Sequence, residues 1–150
     1  MMNIYQAELK DIKGITPLFN KYREFYRQAP DLDGAETFLK TRLKNGESVI
    51  FTASENGEYL GFAQLYPVFS SVAMKRTYIL NDLFVAEHAR KKGAGQKLLA
   101  AAKEFAAQNG AKSLSLQTAP DNHAARSLYE QNGYEEDTDF IHYICKVQTT

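Results

Sequence analysis

Cysteine is nearly missing from this 150-residue chain. Cys145 stands alone, which excludes an internal disulfide and a cysteine-rich zinc site. It reads as a buried or idle thiol in a reducing compartment, the cytoplasm. Net charge is missing as well: 18 Lys and Arg balance 18 Asp and Glu. Without a basic excess the chain has no general means of collecting nucleic-acid phosphates or anionic lipid headgroups. No run approaches the roughly 18 consecutive apolar residues that a membrane span needs. The first residues, Met1 to Gln6, lack a basic stretch followed by an apolar one, so no signal peptide is visible. Repeats, low-complexity tracts and Gly/Ser/Pro linkers are absent too. What remains is 44% apolar. It fits one domain over residues 1–150, with a core that buries roughly 70% of the unfolded surface.

Periodicity divides the chain into alternating elements. A short strand over Asn3 to Glu8 leads to Asp11, which can cap a helix carrying Ile12, Ile15, Phe19 and Tyr22 on one face, stopped by Pro30. A second helix through Ala35, Phe38, Leu39 and Leu43 ends at Asn45-Gly46. Strands at Val49 to Phe51 and Tyr59 to Tyr66 flank Glu55-Asn56-Gly57-Glu58, a hairpin signal. Thr77 to Val85 is apolar on both faces and reads as a central strand. A helix with Leu98, Leu99, Ala102, Phe105 and Ala106 on its core face follows, ended by Asn109-Gly110. Ser113 to Thr118 alternates like a strand, and a short helix runs through Ala125, Leu128 and Tyr129 to Asn132-Gly133. Strands near Tyr134 to Glu136 and over residues 140–147 close the chain. The expected order is β-α-α-β-β-β-α-β-α-β-β: an α/β (α+β) fold, a central mixed sheet with helices on both faces.

Between the central strand and the third helix lies Arg90-Lys91-Lys92-Gly93-Ala94-Gly95. A glycine turn opening a helix is an anion site, because the first helical N–H groups are unpaired and the helix dipole adds positive charge. Gly93 and Gly95 let a backbone approach an oxyanion, and Arg90, Lys91 and Lys92 put three cations at the mouth. A diphosphate suits it. A Walker loop is excluded, since one residue separates the glycines and no Gly-Lys-Ser/Thr triplet occurs. A dinucleotide fingerprint would need glycine where the chain has Leu98.

This turn, after Leu83-Phe84-Val85, resembles the Gln/Arg-x-x-Gly-x-Gly/Ala loop of the GNAT superfamily of acyl-CoA-dependent N-acetyltransferases. A second hallmark of that superfamily is matched in register by Asn122, Ala125, Leu128, Tyr129, Gly133 and Tyr134. The chain looks most like small stand-alone members that acetylate polyamines, amino acids or basic protein tails. The resemblance implies acetyl-CoA as cosubstrate, with its pyrophosphate on the N–H groups of Lys91 to Gln96, Ala94 and Gly95 included. It implies a pantetheine arm along Leu83, Phe84 and Val85, with Asn122 in contact, and an N–H near Val85 facing the thioester carbonyl. Tyr129 matches the residue that protonates the departing sulfur.

The pattern departs at the base. Where many members carry Glu, five residues before Asn122, this chain has Gln117, which takes no proton. Asp82 is the next candidate, on the face of Leu80 and Phe84, as a base or an ammonium-binding carboxylate. A structural Asp paired with backbone donors or an Arg is the other reading. Glu24 and a water chain are further options.

Tyr22, Glu24, Phe25 and Tyr26, with Tyr66 and Phe69, suggest an aromatic wall for a cationic amine. Glu135, Glu136, Asp137 and Asp139 read as a solvated turn. His88, His123 and His142 are too scattered for a metal site. The expected partner is a small-molecule or peptide amine, with no nucleic acid and no membrane. A homodimer along the strand at residues 140–147 is expected by analogy. The rival function is a catalytically inactive acyl-CoA-binding sensor.

Overall fold

Val49–Glu55 (β2) and Glu58–Ser70 (β3) meet at a turn in which Asn56 (φ 53°) and Gly57 (φ 81°) both take left-handed backbone, the geometry a twisted hairpin prefers. In the computed structural model, which describes residues 1–148, this hairpin holds the middle of a sheet. Asn3–Gln6 (β1) pairs antiparallel with β2, and Lys75–Val85 (β4) pairs antiparallel with β3. Leu114–Ser115 (β5) pairs parallel with β4, giving the order β1-β2-β3-β4-β5.

Among the described residues there are four α-helices, and the sheet is covered on both faces. On one, Phe19 of α1 (Ile12–Phe25) meets Phe62 of β3 edge-on at 6.0 Å between ring centroids, and stacks on Phe38 of α2 (Leu32–Lys44) at 6.0 Å. On the other, Phe105 of α3 (Ala94–Gln108) packs against Phe51 at 5.7 Å and Tyr78 at 5.4 Å. The fourth, α4 (His123–Gln131), is capped by Asn122, whose Oδ1 accepts from the Ala125 N–H at 3.1 Å. Ile15, Leu39, Ile50, Phe62, Leu65 and Leu98 are wholly buried between these layers, each contributing roughly 1.5–3 kcal/mol of transfer free energy.

Several expectations need correction. The first helix ends at Phe25, well before Pro30; the chain leaves it through Arg27 at φ 66°. Next, the strand expected over Ser113 to Thr118 shrinks to two residues, so β5 has little edge to offer a further strand. Finally, the last two expected strands are not formed: residues 134–148 hold neither helix nor strand. The pattern is not the cause, since Ile141, Tyr143, Cys145 and Val147 alternate as a strand face would. Phe140, Ile141, Tyr143, Ile144 and Val147 nonetheless stay 74–91% exposed, because the two-residue β5 leaves this run little edge to pair with. Cys145 is exposed, which removes the buried reading of its thiol and leaves the idle one. Without the strand at 140–147, the homodimer contact placed on it has no edge to use. Among the described residues no helix is long and apolar enough to cross a membrane.

Asp11 anchors α1 to the sheet. It is 3% exposed and accepts from the Glu8 N–H (2.8 Å), the Tyr59 hydroxyl (2.7 Å) and the Tyr5 hydroxyl (3.3 Å). Burial pulls its carboxyl upward, but these donors outweigh burial and hold it below the ordinary 3.8. Its stabilisation is therefore full above pH 3.8 and is lost as pH falls through the lower folded value. Asp11→Asn should cost about 1–3 kcal/mol at pH 7 in urea unfolding, and the gap to the parent protein should close in acid.

Candidate active site

β4 is unequally paired. Against β3 it is held from Val85 opposite Gly61 to Lys75 opposite Ser70, whereas β5 reaches only Tyr78 and Ile79. Beyond Ile79 its outer edge is open. Because the Ala86 N–H donates inward to Leu60 O at 2.7 Å, alternation turns the Val85 and Leu83 N–H groups toward that open edge. A cleft of about 560 Å³ lies along it. Leu83, Phe84 and Val85 line it from β4, Asn122, Leu128 and Tyr129 from α4 and its cap, and Tyr22, Phe25 and Tyr26 from the end of α1 and the residue after it.

The glycine turn closes one end. Lys91 (φ 66°) and Gly93 (φ 86°) both adopt left-handed backbone, the alternation that turns successive N–H groups to one side. The first intrahelical bond of α3 is Lys97 N–H to Gly93 O, at 3.0 Å. The N–H groups of Ala94, Gly95 and Gln96 are therefore left without helical acceptors. A Cβ at Gly95 would stand 3.3 Å from Leu128 Cδ2, a tight contact that the leucine side chain would have to ease. The three expected cations divide. Lys91 lines the cleft. Arg90 does so too, but its Nε donates to Val85 O at 2.9 Å and its guanidinium lies 5.5 Å from the Phe84 ring centroid, which braces the strand end. Lys92 is exposed and does not line the cleft.

Asp82 sits behind the cleft wall. The register shifts between Gln64 and Leu65, so Asp82 faces Gln64 while Leu80 faces Leu65, with Asn81 as the extra residue. Neighbours on β3 point to opposite faces, so this bulge separates Asp82 from Leu80 and corrects the expected shared face. Asp82 is 5% exposed. Its Oδ2 accepts from Gln64 Nε2 at 2.8 Å, and its Oδ1 from Asn81 Nδ2 at 3.0 Å. The Tyr22 hydroxyl, which donates to Asn81 O at 3.2 Å, also reaches the carboxylate. Burial pushes the Asp82 carboxyl up, and the donors from Gln64, Tyr22 and Asn81 offset this only in part.

The phenols of Tyr22, Tyr66 and Tyr129 are shifted upward. Burial and the Asp82 charge raise Tyr22 well above 10 and push Tyr66 up to about 12. Burial, then the neighbouring Tyr26, raises Tyr129.

Other expected residues lie apart. Glu24 is exposed, accepts from Asn20 Nδ2 at 3.2 Å and does not line the cleft. Phe69 is 72% exposed beneath Arg76, and Tyr66 sits beside Asp82 but off the cleft. Gln117 does line the cleft. Gln64 was missed by sequence reasoning. Its signal was a lone amide within the apolar run from Leu60 to Tyr66.

Residues 15–134 match the Acetyltransferase (GNAT) family, and the chain belongs to that family. It is 69% identical over 146 residues to the uncharacterized N-acetyltransferase YhfO of Bacillus subtilis (strain 168), covering 97% of this chain and 98% of the relative. A crystal structure of a probable acetyltransferase superposes with TM-score 0.93 at 41% identity, covering 99% of both chains. An aminoglycoside N-acetyltransferase solved in complex with CoA shares the fold at TM-score 0.81 and 20% identity, covering 98% of this chain and 96% of that one.

The Asp82 shift carries a stability consequence. Its folded pKa is raised, so the folded state holds more protons than the unfolded one above pH 3.8, and stability falls as pH rises through that window. Asp82→Asn removes the penalty. Its melting temperature should exceed that of the parent at pH 7, with the gain disappearing below pH 3.8.

Proposed function

We propose that the protein transfers the acetyl group of acetyl-CoA directly to a primary amine of a small molecule or peptide, without a covalent enzyme intermediate. The observation that carries this reading is the open edge of β4 running into the unpaired N–H groups of α3. An extended amide-bearing arm and a diphosphate need those two donor sets, side by side. A protein of the same fold solved with CoA supports the choice of ligand. We take residues 1–150 to act as one domain, in the cytoplasm.

The roles follow from the chemistry of each group. N–H groups from Lys91 to Gln96 hold the diphosphate, and the glycines keep side chains out of its way. The Leu83 and Val85 N–H groups pair with the arm, and Asn122, with its Oδ1 already capping α4, has its side-chain NH2 left to donate. Acetyl-CoA supplies the activated thioester. The Val85 N–H stabilises negative charge growing on the carbonyl oxygen. Tyr129, kept neutral by burial, donates a proton to the departing sulfur, whose thiol has an ordinary pKa of about 8.5.

Asp82 takes the proton of the arriving ammonium. Its raised pKa suits it to that task, and Gln117, in the place a carboxylate often occupies, has no basic atom for it. Tyr22, Phe25 and Tyr26 present ring surface to a cationic amine. Cys145 lies outside the cleft lining, which speaks against an acyl-cysteine route.

One observation favours the rival, an acyl-CoA sensor without turnover. No carboxylate lines the cleft itself, because Asp82 stands behind Tyr22 and Asn81. Release of CoA thiol with a panel of diamines, amino acids and basic peptides separates the two. Turnover with any member establishes the enzyme; binding without turnover establishes the sensor. For the enzyme, Tyr129→Phe should lower kcat by about 100-fold or more. Its acetyl-CoA dissociation constant by calorimetry should stay within about threefold of the parent. An unchanged kcat would remove Tyr129 from the mechanism.

A further inference from the structure

Gln64 is wholly buried, yet only one end of its amide is satisfied. Nε2 donates to Asp82 Oδ2 at 2.8 Å, while Oε1 has no hydrogen-bond partner. A buried acceptor left this way has lost its water without gaining a partner, which asks for an explanation. The chemistry of the pair supplies one. An ionised carboxylate only accepts, so it matches the NH2 end of the amide. A protonated carboxyl must donate, and its new O–H needs an acceptor. A half-turn of the Gln64 amide about its last side-chain bond exchanges NH2 for Oε1 at nearly the same place.

We propose that Gln64 is a positioning residue for Asp82, an amide that turns with the protonation state of the carboxyl. Asp82 then has a partner before and after it takes up a proton, and the orphaned oxygen is the acceptor held for the second state. The step moves one proton, from an ammonium to a carboxylate oxygen, and changes nothing else. The role in turnover rests on Asp82 being the proton acceptor proposed above; the pairing itself does not.

The groups facing Asp82 leave it to titrate alone in the acid range. Tyr22 from α1 and Tyr66 from β3 are shifted upward and stay neutral there. Tyr26 and Tyr129 border Tyr22 as phenols, Arg42 of α2 acts on Tyr66 with a constant charge, and Asn81 is uncharged. Asn81 Nδ2 holds Oδ1 and Gln64 Nε2 holds Oδ2, so Oδ2 is the oxygen that carries the proton once the Gln64 amide turns.

The test is an NMR titration of the full chain labelled with 13C at Asp Cγ and 15N at Gln Nε2. Asp82 is assigned by its loss in Asp82→Asn, and Gln64 by through-bond correlation. In the parent protein, the two Gln64 NH2 proton signals should move with the same midpoint as Asp82 Cγ. They should cease to titrate in Asp82→Asn. In Gln64→Met, which keeps the volume and removes both hydrogen-bonding atoms, the Asp82 midpoint should rise by about one pH unit or more, because the amide NH2 holds the carboxylate by a charge-assisted bond stronger than the neutral one its oxygen offers the protonated form. The acid limb of kcat/KM should rise with it. Gln64 signals that stay fixed while Asp82 titrates, or an Asp82 midpoint unmoved in Gln64→Met, overturn the pairing. The parent measurement decides alone if Gln64→Met does not fold. A midpoint that moves while the kinetic limb stays put upholds the pairing and overturns only the role of Asp82 in turnover.

Discussion

A strand with one side paired and the other half bare is the constraint on which this structure turns. Backbone donors and acceptors in a protein interior are almost always satisfied, yet β4 parts from β5 after Ile79 and leaves its last residues without a neighbour. The separation is not a loss of order. β3 grips β4 along its whole length, Arg90 ties off the Val85 carbonyl, and its guanidinium rests on Phe84. What stays open is an edge held straight by its other side. The turn into α3 then adds a second set of donors at the end of the first, through left-handed backbone at Lys91 and Gly93. Unsatisfied donors in fixed positions define a ligand by its acceptors.

The second organising feature is how a carboxylate is kept inside an aromatic layer. Tyr22 stands within 6.4 Å, centroid to centroid, of Phe19, Phe62, Phe84 and Tyr26. Its hydroxyl meets the β4 bulge where Asp82 lies. The bulge is what turns Asp82 toward α1 and leaves Leu80 on the other face. Polar groups cluster there because one extra residue, Asn81, interrupts the regular alternation. A charge-bearing group, its three donors and the cleft wall are thus placed by the same irregularity.

Much of this was legible in the residues. Asn56-Gly57 announced the hairpin, the two-sided apolar run from Ile79 to Val85 the central strand, and Gly93-Ala94-Gly95 the helix start. These are local signals, fixed by backbone sterics and alternation. What stayed hidden depends on pairing between distant segments. The bulge at Asn81 follows from the register with β3, so Asp82 and Leu80 looked like neighbours on one face. Arg90 and Lys92 read alike in a cationic turn, but the Phe84 ring and the Val85 carbonyl claim only Arg90. The run from Phe140 to Val147 alternates like a strand, with Ile141, Tyr143, Cys145 and Val147 on one side, but a strand also needs an edge to pair with, and β5 is only two residues long. Gln64 was readable as a lone amide in an apolar strand; its partner was not.

Amide hydrogen exchange with and without acetyl-CoA addresses the open edge most directly, because it reads the very N–H groups at issue. Exchange at Leu83, Val85 and the first turn of α3 should slow markedly on adding the ligand, while the β2–β3 hairpin, already paired, should hardly change. Equal exchange at Leu83, Val85, Gly95 and Gln96 in both samples would contradict the account.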